Sequence, residues 1–149
     1  MKILALDIAT KTGWAMCDNG RYSSGVFDCN AKSYGKRYSK FQNVLLTKFN
    51  FGIDNKPDIL VYEKAFQKSQ ASNELFNGFL AITRLILCRA ETKFIAVYPN
   101  ALKKWATGNG KASKQDMIDA AKLLGWNPKD DNEADALLLL EYALETIKK

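Results

Sequence analysis

Two short apolar runs, each ending in an acidic residue, constrain the fold of this chain most strongly. Lys2–Leu6 is followed by Asp7, and Asp58–Tyr62 is followed by Glu63. Apolar runs of this length are typical of strands that are buried inside a sheet. A carboxylate beside a buried sheet is costly unless something compensates for its charge. The pattern therefore predicts two core strands that each end in an acid.

The remaining segments predict three strands followed by alternating helices and strands. Gly13–Cys17 and Tyr22–Phe27 are the next two strands, because Asp18-Asn19-Gly20 between them is a hairpin turn signal. The later elements are helices over Ser33–Phe49 and Ala71–Ala90, a strand over Lys93–Tyr98, a short turn over Pro99–Trp105, and helices over Ser113–Leu124 and Asp131–Ile147. This order predicts an α/β fold whose mixed five-stranded sheet, three antiparallel strands and then two parallel ones, is flanked by helices.

Length and composition agree with a single nucleic-acid-binding domain. The chain has 149 residues and no dividing linker, so we expect one domain over 1–149. Its net charge of +6 favours an anionic partner, nucleic acid before an anionic membrane, although ordinary solubility charge explains it equally well. No stretch has the length of a membrane span. The first apolar run is too short for a signal peptide and Asp7 interrupts it, so we expect no signal peptide. Three cysteines without metal-type spacing favour reduced thiols in the cytoplasm: Cys17, Cys29 and Cys88.

Asp7 and Glu63 are the first part of a predicted acidic site. Ligands of open α/β sheets bind beyond the carboxyl ends of the strands, so the two acids converge if their strands are neighbours. The chain contains no histidine, which removes the usual general base and the commonest zinc ligand. Carboxylates and water favour Mg²⁺ instead. Two such ions held by three or four carboxylates would clamp a scissile phosphate.

The last helix supplies the remaining acids. It begins Asp130-Asp131-Asn132-Glu133-Ala134-Asp135, and Asp131 and Asp135 share a helical face. Asp130 and Asp131 are explained equally well as caps of the helix N-terminus. Asp135 lies in the second turn beside leucines that should face the sheet, so it needs a partner such as a divalent cation.

Basic and aromatic residues surround these acids in the sequence. A single lysine is more simply a solvated surface charge, but a cluster favours contact with phosphates, and the cluster consists of Lys64, Lys68, Lys103, Lys104, Lys111 and Lys114. The flexible segment 107–110 leads to a helix start whose backbone amides are candidates to hold a phosphate. Phe66, in the polar segment KAFQKSQ, is either a core residue or an exposed aromatic that stacks on bases.

Four segments together resemble the RuvC-type Holliday junction resolvases of the RNase H-like superfamily. The first is ILALDIATKTGWA, with an Asp at the strand end and a Thr-Gly-Trp in the second strand. The second is VYEKAF, with a phenylalanine three residues after the glutamate. The others are LKKWATGNGKASKQDM, a glycine-containing loop before a lysine-bearing helix start, and NEADALLLL, the final acidic helix. The segments occur in the family's order and span nearly the whole chain.

The resemblance implies an RNase H-like fold, a homodimer, and Mg²⁺-dependent nicking of four-way DNA junctions, with Mn²⁺ as a substitute. By position, the metal ligands would be Asp7, Glu63 and Asp135. Phe66 would stack on or wedge between junction bases. Lys103 and Lys114 would contact phosphate or support catalysis.

Two positions depart from the family pattern. Ile8-Ala9 replaces the Pro-Gly that usually follows the first Asp, and Asn132 stands where an acid or histidine is typical. Either Asn132 is a weaker metal ligand, or Asp131 takes that role from one turn away. The chain is also short, as in phage-borne relatives, in which junction sequence specificity can be relaxed. We expect it in the cytoplasm of a bacterial cell or of a phage-infected host.

Other functions remain open at the level of sequence. The chain is alternatively a junction-binding module with a weakened metal site, or an RNase H-like nuclease that acts on structured RNA. The opening LALDIATKTG is also similar to the phosphate-binding strand of sugar kinases and actin-like ATPases, but 149 residues cannot supply the two domains of that fold.

The long predicted helix also favours a homodimer. Ala71–Ala90 is apolar on more than one side. A single sheet covers one side only, so we expect Phe79 or Ile82 to face outward into an interface.

Overall fold

One mixed sheet forms the centre of the protein, in a computed structural model that describes residues 1–64 and 69–147. Its five strands lie in the order β3-β2-β1-β4-β5. Their bounds are β1 Lys2–Asp7, β2 Lys11–Asp18, β3 Arg21–Asp28, β4 Ile59–Glu63 and β5 Lys93–Val97. The pairs β1–β2 and β2–β3 are antiparallel, whereas β1–β4 and β4–β5 are parallel. The predicted mixed sheet is confirmed.

The hairpin between β2 and β3 turns at the predicted residues. Asn19 and Gly20 have φ values of 50° and 85°, a backbone region in which glycine and asparagine are favoured. Asp18 pairs with Arg21 across this two-residue turn. The turn therefore fixes the register of the two strands that lead to the edge of the sheet.

Two layers of helices cover the sheet. Their bounds are α1 Tyr34–Thr47, α2 Gln70–Arg89, α3 Pro99–Thr107, α4 Lys114–Leu123 and α5 Asp131–Ile147. The core splits accordingly, with α1 and α2 packed on one face of the sheet and α3, α4 and α5 on the other. Among the described residues, no helix is long and apolar enough to cross a lipid bilayer.

Strand alternation decides to which layer each side chain points. In β1, Leu4 and Leu6 join the α1–α2 core, whereas Ile3 and Ala5 join the α5 core. Successive side chains point to opposite faces, so Asp7 lies on the α5 face of the sheet. The same alternation in β4 sends Leu60 and Tyr62 to one core and Ile59 and Val61 to the other, which places Glu63 on the α5 face too.

Part of the second apolar side of α2 is covered by α1 of the same chain. Phe79 is fully buried, with its ring 4.7 Å from that of Phe41 and 5.5 Å from that of Tyr38 on α1. The interpretation that the sheet leaves this side of the helix open is therefore wrong for Phe79. Ile82 is half-buried, and Leu85 is 51% exposed.

Candidate active site

Asp7 and Glu63 come together at one end of two adjacent parallel strands. Leu6 pairs with Tyr62 in the register of β1 and β4, so the two acids occupy the next position on each strand. Burial raises the pKa of Asp7 well above its ordinary value, and the charges of Asp135, Glu63 and Asp131 raise it further. The acids predicted from the strand ends therefore lie within electrostatic reach of each other.

Asp135 completes this group from α5. Burial, followed by the charge of Asp131, raises the pKa of Asp135 to about 6. Burial, followed by the charge of Asp135, raises the pKa of Glu63 to about 7. The charge of Asp135 thus makes ionisation of Asp7 and Glu63 more costly. We call Asp7, Glu63 and Asp135 the acidic cluster.

A glycine in β2 lets α5 approach the acidic cluster. Gly13 pairs with Asp7 across the β1–β2 ladder. A Cβ atom at Gly13 would overlap the backbone carbonyl of Asn132 in the first turn of α5. Only glycine allows the helix to lie this close to the strand, and the close approach brings Asp135 beside Asp7.

A buried carboxylate fastens the same helix turn to the sheet. Glu133 is 5% exposed, and its Oε1 accepts a hydrogen bond of 2.8 Å from the Ser24 hydroxyl on β3. Its Oε2 accepts a hydrogen bond of 2.7 Å from the backbone N–H of Lys129. Glu133 and Ser24 are positioning residues that the sequence does not reveal, because their contact joins positions 109 residues apart and no local pattern signals it.

The two acids at the start of α5 have different roles. Asp130 is a cap, because its Oδ1 accepts a hydrogen bond of 2.9 Å from the Glu133 N–H, and its other oxygen forms an ion pair of 3.0 Å with Lys11. Asp131 instead forms an ion pair of 3.0 Å with Lys114, and its charge raises the pKa of both Asp7 and Asp135. Asp131 therefore belongs to the electrostatics of the acidic cluster.

Asn132 lies toward a different part of the edge. It lines a cleft of about 270 Å³ together with residues 9–11 of the β1–β2 loop and Ser72, Leu75 and Phe76 of α2. A side-chain hydrogen bond with Asn132 also helps to lower the pKa of Asp130.

The acidic cluster suits a hard divalent cation by charge and by donor type. Within residues 1–64 and 69–147, no hydrogen bond or ion pair reaches the carboxylates of Asp7, Glu63 and Asp135. Oxygen donors with an uncompensated negative charge are what Mg²⁺ prefers. No three Asp, Glu or Cys side chains among these described residues stand close enough to enclose an ion as they are. The donors therefore fit Mg²⁺, and closing around it requires side-chain movement.

Lysines from α3 and α4 face the acidic cluster. The charge of Lys103 lowers the pKa of Glu63 and Asp135, and that of Lys114 lowers the pKa of Asp7 and Asp135. Lys64 donates a hydrogen bond of 3.2 Å to the Tyr98 hydroxyl. Two more of the predicted DNA-contacting lysines are exposed, Lys104 on α3 and Lys111 between α3 and α4. Phe66 and Lys68 lie outside the described residues.

The loop before α4 is already occupied by its own hydrogen bonds. The Asn109 N–H donates to the Thr107 hydroxyl at 3.1 Å, and the Lys111 N–H donates to the Asn109 side chain at 3.0 Å. Ser113 and Asp116 form the reciprocal capping box that their spacing indicates, which uses two backbone amides. The amides of this helix start are therefore poorer phosphate donors than the sequence suggested, and the lysines are the stronger candidates.

Comparison with known proteins identifies the fold first. No family model matches the sequence. The structure of Thermus thermophilus RuvC in complex with a Holliday junction substrate superimposes with a TM-score of 0.75 at 16% identity, over 93% of this chain and 90% of that chain. The predicted RNase H-like fold is thereby confirmed.

Two sequence relatives are RuvC proteins as well. Crossover junction endodeoxyribonuclease RuvC of Ruegeria pomeroyi is 26% identical over 148 residues, 93% of this chain and 88% of the relative. RuvC of Corynebacterium efficiens is 35% identical over 91 residues, 58% of this chain but only 40% of that relative's length. The chain is thus RuvC-like in sequence and in fold, and the resemblance carried by the four segments is confirmed.

The raised pKa values predict how stability depends on pH without divalent cations. A raised carboxyl pKa means that the folded state binds its proton more tightly than the unfolded chain, so stability falls as pH rises from the ordinary values of about 4 through the raised ones, about 6 for Asp135 and about 7 for Glu63. The carboxyl groups whose pKa is lowered, Asp116 and Asp130, act at lower pH and do not offset this fall.

We therefore expect the melting temperature, measured in EDTA, to fall between roughly pH 5 and pH 7.5, and Asp135→Asn to make the fall shallower. Asp54→Asn, an exposed acid at the opposite end of the strands, is the control and should keep the wild-type slope. Equal slopes in wild type and Asp135→Asn would contradict the assigned cause.

Proposed function

We propose that this chain is a Mg²⁺-dependent endonuclease that cuts Holliday junctions or other branched DNA by two-metal-ion hydrolysis of a phosphodiester bond. The observation that carries the proposal is the acidic cluster, three carboxylates without a bonded partner among the described residues, in a RuvC-like chain. Lysines beside the cluster favour an anionic substrate. The whole of residues 1–149 is proposed to act as one nuclease domain in the cytoplasm.

The chain's own residues have separable parts in this reaction. Asp7, Glu63 and Asp135 would hold the metal, with Asp131 as the fourth ligand. When bound, Mg²⁺ supplies activation of the attacking water and stabilisation of the leaving oxygen, and Mn²⁺ can substitute because it takes the same oxygen ligands. Lys103 and Lys114 would hold the scissile phosphate against the carboxylates.

The remaining contacts to DNA come from the flanks of the acidic cluster. We propose Lys64, Lys68, Lys104 and Lys111 as phosphate contacts and Phe66 as an aromatic that stacks on junction bases. The choice of a four-way junction rests on the RuvC proteins to which this chain is similar in sequence and in fold.

A direct test offers the purified protein a four-way DNA junction, a linear duplex of the same sequence and an RNA–DNA hybrid, each with and without Mg²⁺. We expect paired nicks in the junction alone, and only with Mg²⁺. Cleavage of the hybrid alone would favour an RNA nuclease. Junction binding without any cleavage would favour a binding module with a weakened metal site.

In the same assay, Asp7→Asn or Glu63→Gln should abolish cleavage and leave junction binding largely intact. The acids bind metal, whereas phosphate contacts by lysines supply most of the affinity. Asp54→Asn removes a charge at the far end of the strands and is expected to cut normally. Near-normal cleavage by either site variant would overturn the proposed metal site.

Asp131 is favoured over Asn132 as the fourth ligand. A carboxylate is the better ligand for a hard cation, and Asp131 already acts on Asp7 and Asp135 through its charge. We expect Asp131→Ala to raise the Mg²⁺ concentration needed for half-maximal cleavage by roughly ten- to a hundredfold, the range found even for residues that only support metal ligands. Asn132→Ala is the matched comparison and should change it less. The reverse order would transfer the role to Asn132.

We propose that the protein is a homodimer. A junction with two-fold symmetry needs two active sites related by the same symmetry to make paired nicks. The open side of α2, where Leu85 is 51% exposed beside half-buried Ile82, is the proposed interface. Sedimentation at micromolar concentration should show a dimer, and Leu85→Glu should yield monomers. Leu123→Glu, at a site 89% exposed on α4, is the control and should leave the dimer intact. A wild-type monomer would contradict the proposal.

A further inference from the structure

A second basic surface lies at the start of α1, on the helix layer opposite the lysines of the candidate active site. It consists of Lys32, Lys36, Arg37 and Lys40, and we call it the α1 basic surface. Residues 34–47 of the helix contain no acidic side chain. The Ser33 hydroxyl caps the helix at this end, where the helix dipole also favours negative charge. None of these residues is among the DNA contacts proposed above.

The path of the chain brings this surface to the same edge as the acidic cluster. β3 ends at Asp28, which pairs with Lys11 at the start of β2. Lys11 follows the end of β1 by a short loop, so the segment between β3 and α1 begins at the same end of the strands as Asp7, with β2 between β3 and β1. Lys11 also connects the end of β3 with α5 electrostatically. It is attracted by the charge of Asp28 and forms an ion pair with Asp130.

Two residues of the α1 basic surface donate hydrogen bonds to the backbone, and the other two are available to a ligand. Arg37 donates a hydrogen bond of 3.0 Å to the Ala31 carbonyl, and Lys40 donates one of 2.7 Å to the Asn30 carbonyl. These bonds fix the segment that carries Lys32. Within residues 1–64 and 69–147, no hydrogen bond or ion pair engages the ammonium groups of Lys32 and Lys36, and both residues are exposed.

Acidic residues nearby do not neutralise the surface. Burial and the charge of Asp28 raise the pKa of Cys29 while the charge of Lys40 lowers it, so Asp28 and Lys40 both act on this thiol. Glu74 of α2 acts on the Tyr38 hydroxyl. The four cations outnumber these two acids, which leaves a net positive patch. The Arg37 guanidinium also lies over the Tyr34 ring, 5.6 Å from its centroid.

We propose that the α1 basic surface binds the phosphate backbone of a second arm of branched DNA, while the lysines of α3 and α4 hold the arm that is cut. The two sets of cations are separated by the sheet and by helices about 10 Å across. A ligand that contacts both sets of cations must carry negative charge on both sides of the sheet, around the end that bears the acidic cluster. A branched duplex meets this requirement. This inference rests on the proposed function and extends it to substrate selection.

The test is the double variant Lys32→Ala/Lys36→Ala, compared with Lys93→Ala/Lys122→Ala. The control removes the same charge from exposed residues outside the α1 basic surface, at the start of β5 and near the end of α4 in the other helix layer. Binding of a four-way junction and of a linear duplex is measured between roughly 0.05 and 0.2 M salt, with Ca²⁺ in place of Mg²⁺ to hold back cleavage. Each lost phosphate contact removes about 0.9 from the slope of log affinity against log salt.

We expect the α1 variant to bind the junction roughly tenfold more weakly at about 0.1 M salt, with a slope shallower by roughly 2. Its affinity for the linear duplex should change less, and the control should match wild type on both. An unchanged junction slope, or an equal loss in the control, would overturn the inference. So would a loss that is seen only with an RNA four-way junction. Failure of wild-type protein to bind or cut any junction would instead count against the proposed function.

Discussion

The contact between the first turn of α5 and β2 is the interaction on which the candidate active site depends. At Gly13 the strand has no side chain, so the Asn132 carbonyl lies directly against it. Gly13 is also the register partner of Asp7. The absence of one Cβ atom thus sets the separation between the acid on the first strand and the acid on the last helix, which are 128 positions apart in the chain (Asp7 and Asp135).

Most of the fold could be predicted from local patterns. The apolar runs, the Asn-Gly turn and the helical spacing gave each strand and helix to within a few residues, because these signals depend only on neighbours along the chain. The mixed character of the sheet follows from the preference for short connections and crossovers, whereas the strand order, with β1 beside β4, comes from the structure. The packing of Phe79 on α2 is not predictable in this way, since apolar residues indicate burial without indicating the partner. In the structure that partner is α1, whose Phe41 packs on Phe79.

The site was predictable to the extent that its chemistry lies at strand ends. Asp7 and Glu63 were found because an acid after a buried strand is conspicuous, and strand alternation then sends both to the same face of the sheet. The residues that position α5 were not predictable, because a contact such as Ser24 with Glu133 depends on tertiary packing. The distinction between Asp130 and Asp131 had the same origin: both fit a helix cap in sequence, and only the packed helix shows that Asp130 caps it while Asp131 turns toward Lys114.

The acidic cluster brings a cost in stability that a cation can relieve. Burial raises the pKa of all three carboxylates, and the charge of Asp135 raises the pKa of Asp7 and Glu63 further. The lysines nearby offset part of this, but Lys114 is paired with Asp131 and sits on an exposed helix start where solvent screens its charge. The rigid attachment of α5 through Glu133 and Gly13 keeps the carboxylates from separating to relieve their repulsion. Packing of the rest of the core thus holds three mutually repelling carboxylates together. If the proposed divalent cation binds there, metal affinity and folding stability are coupled through the same three side chains.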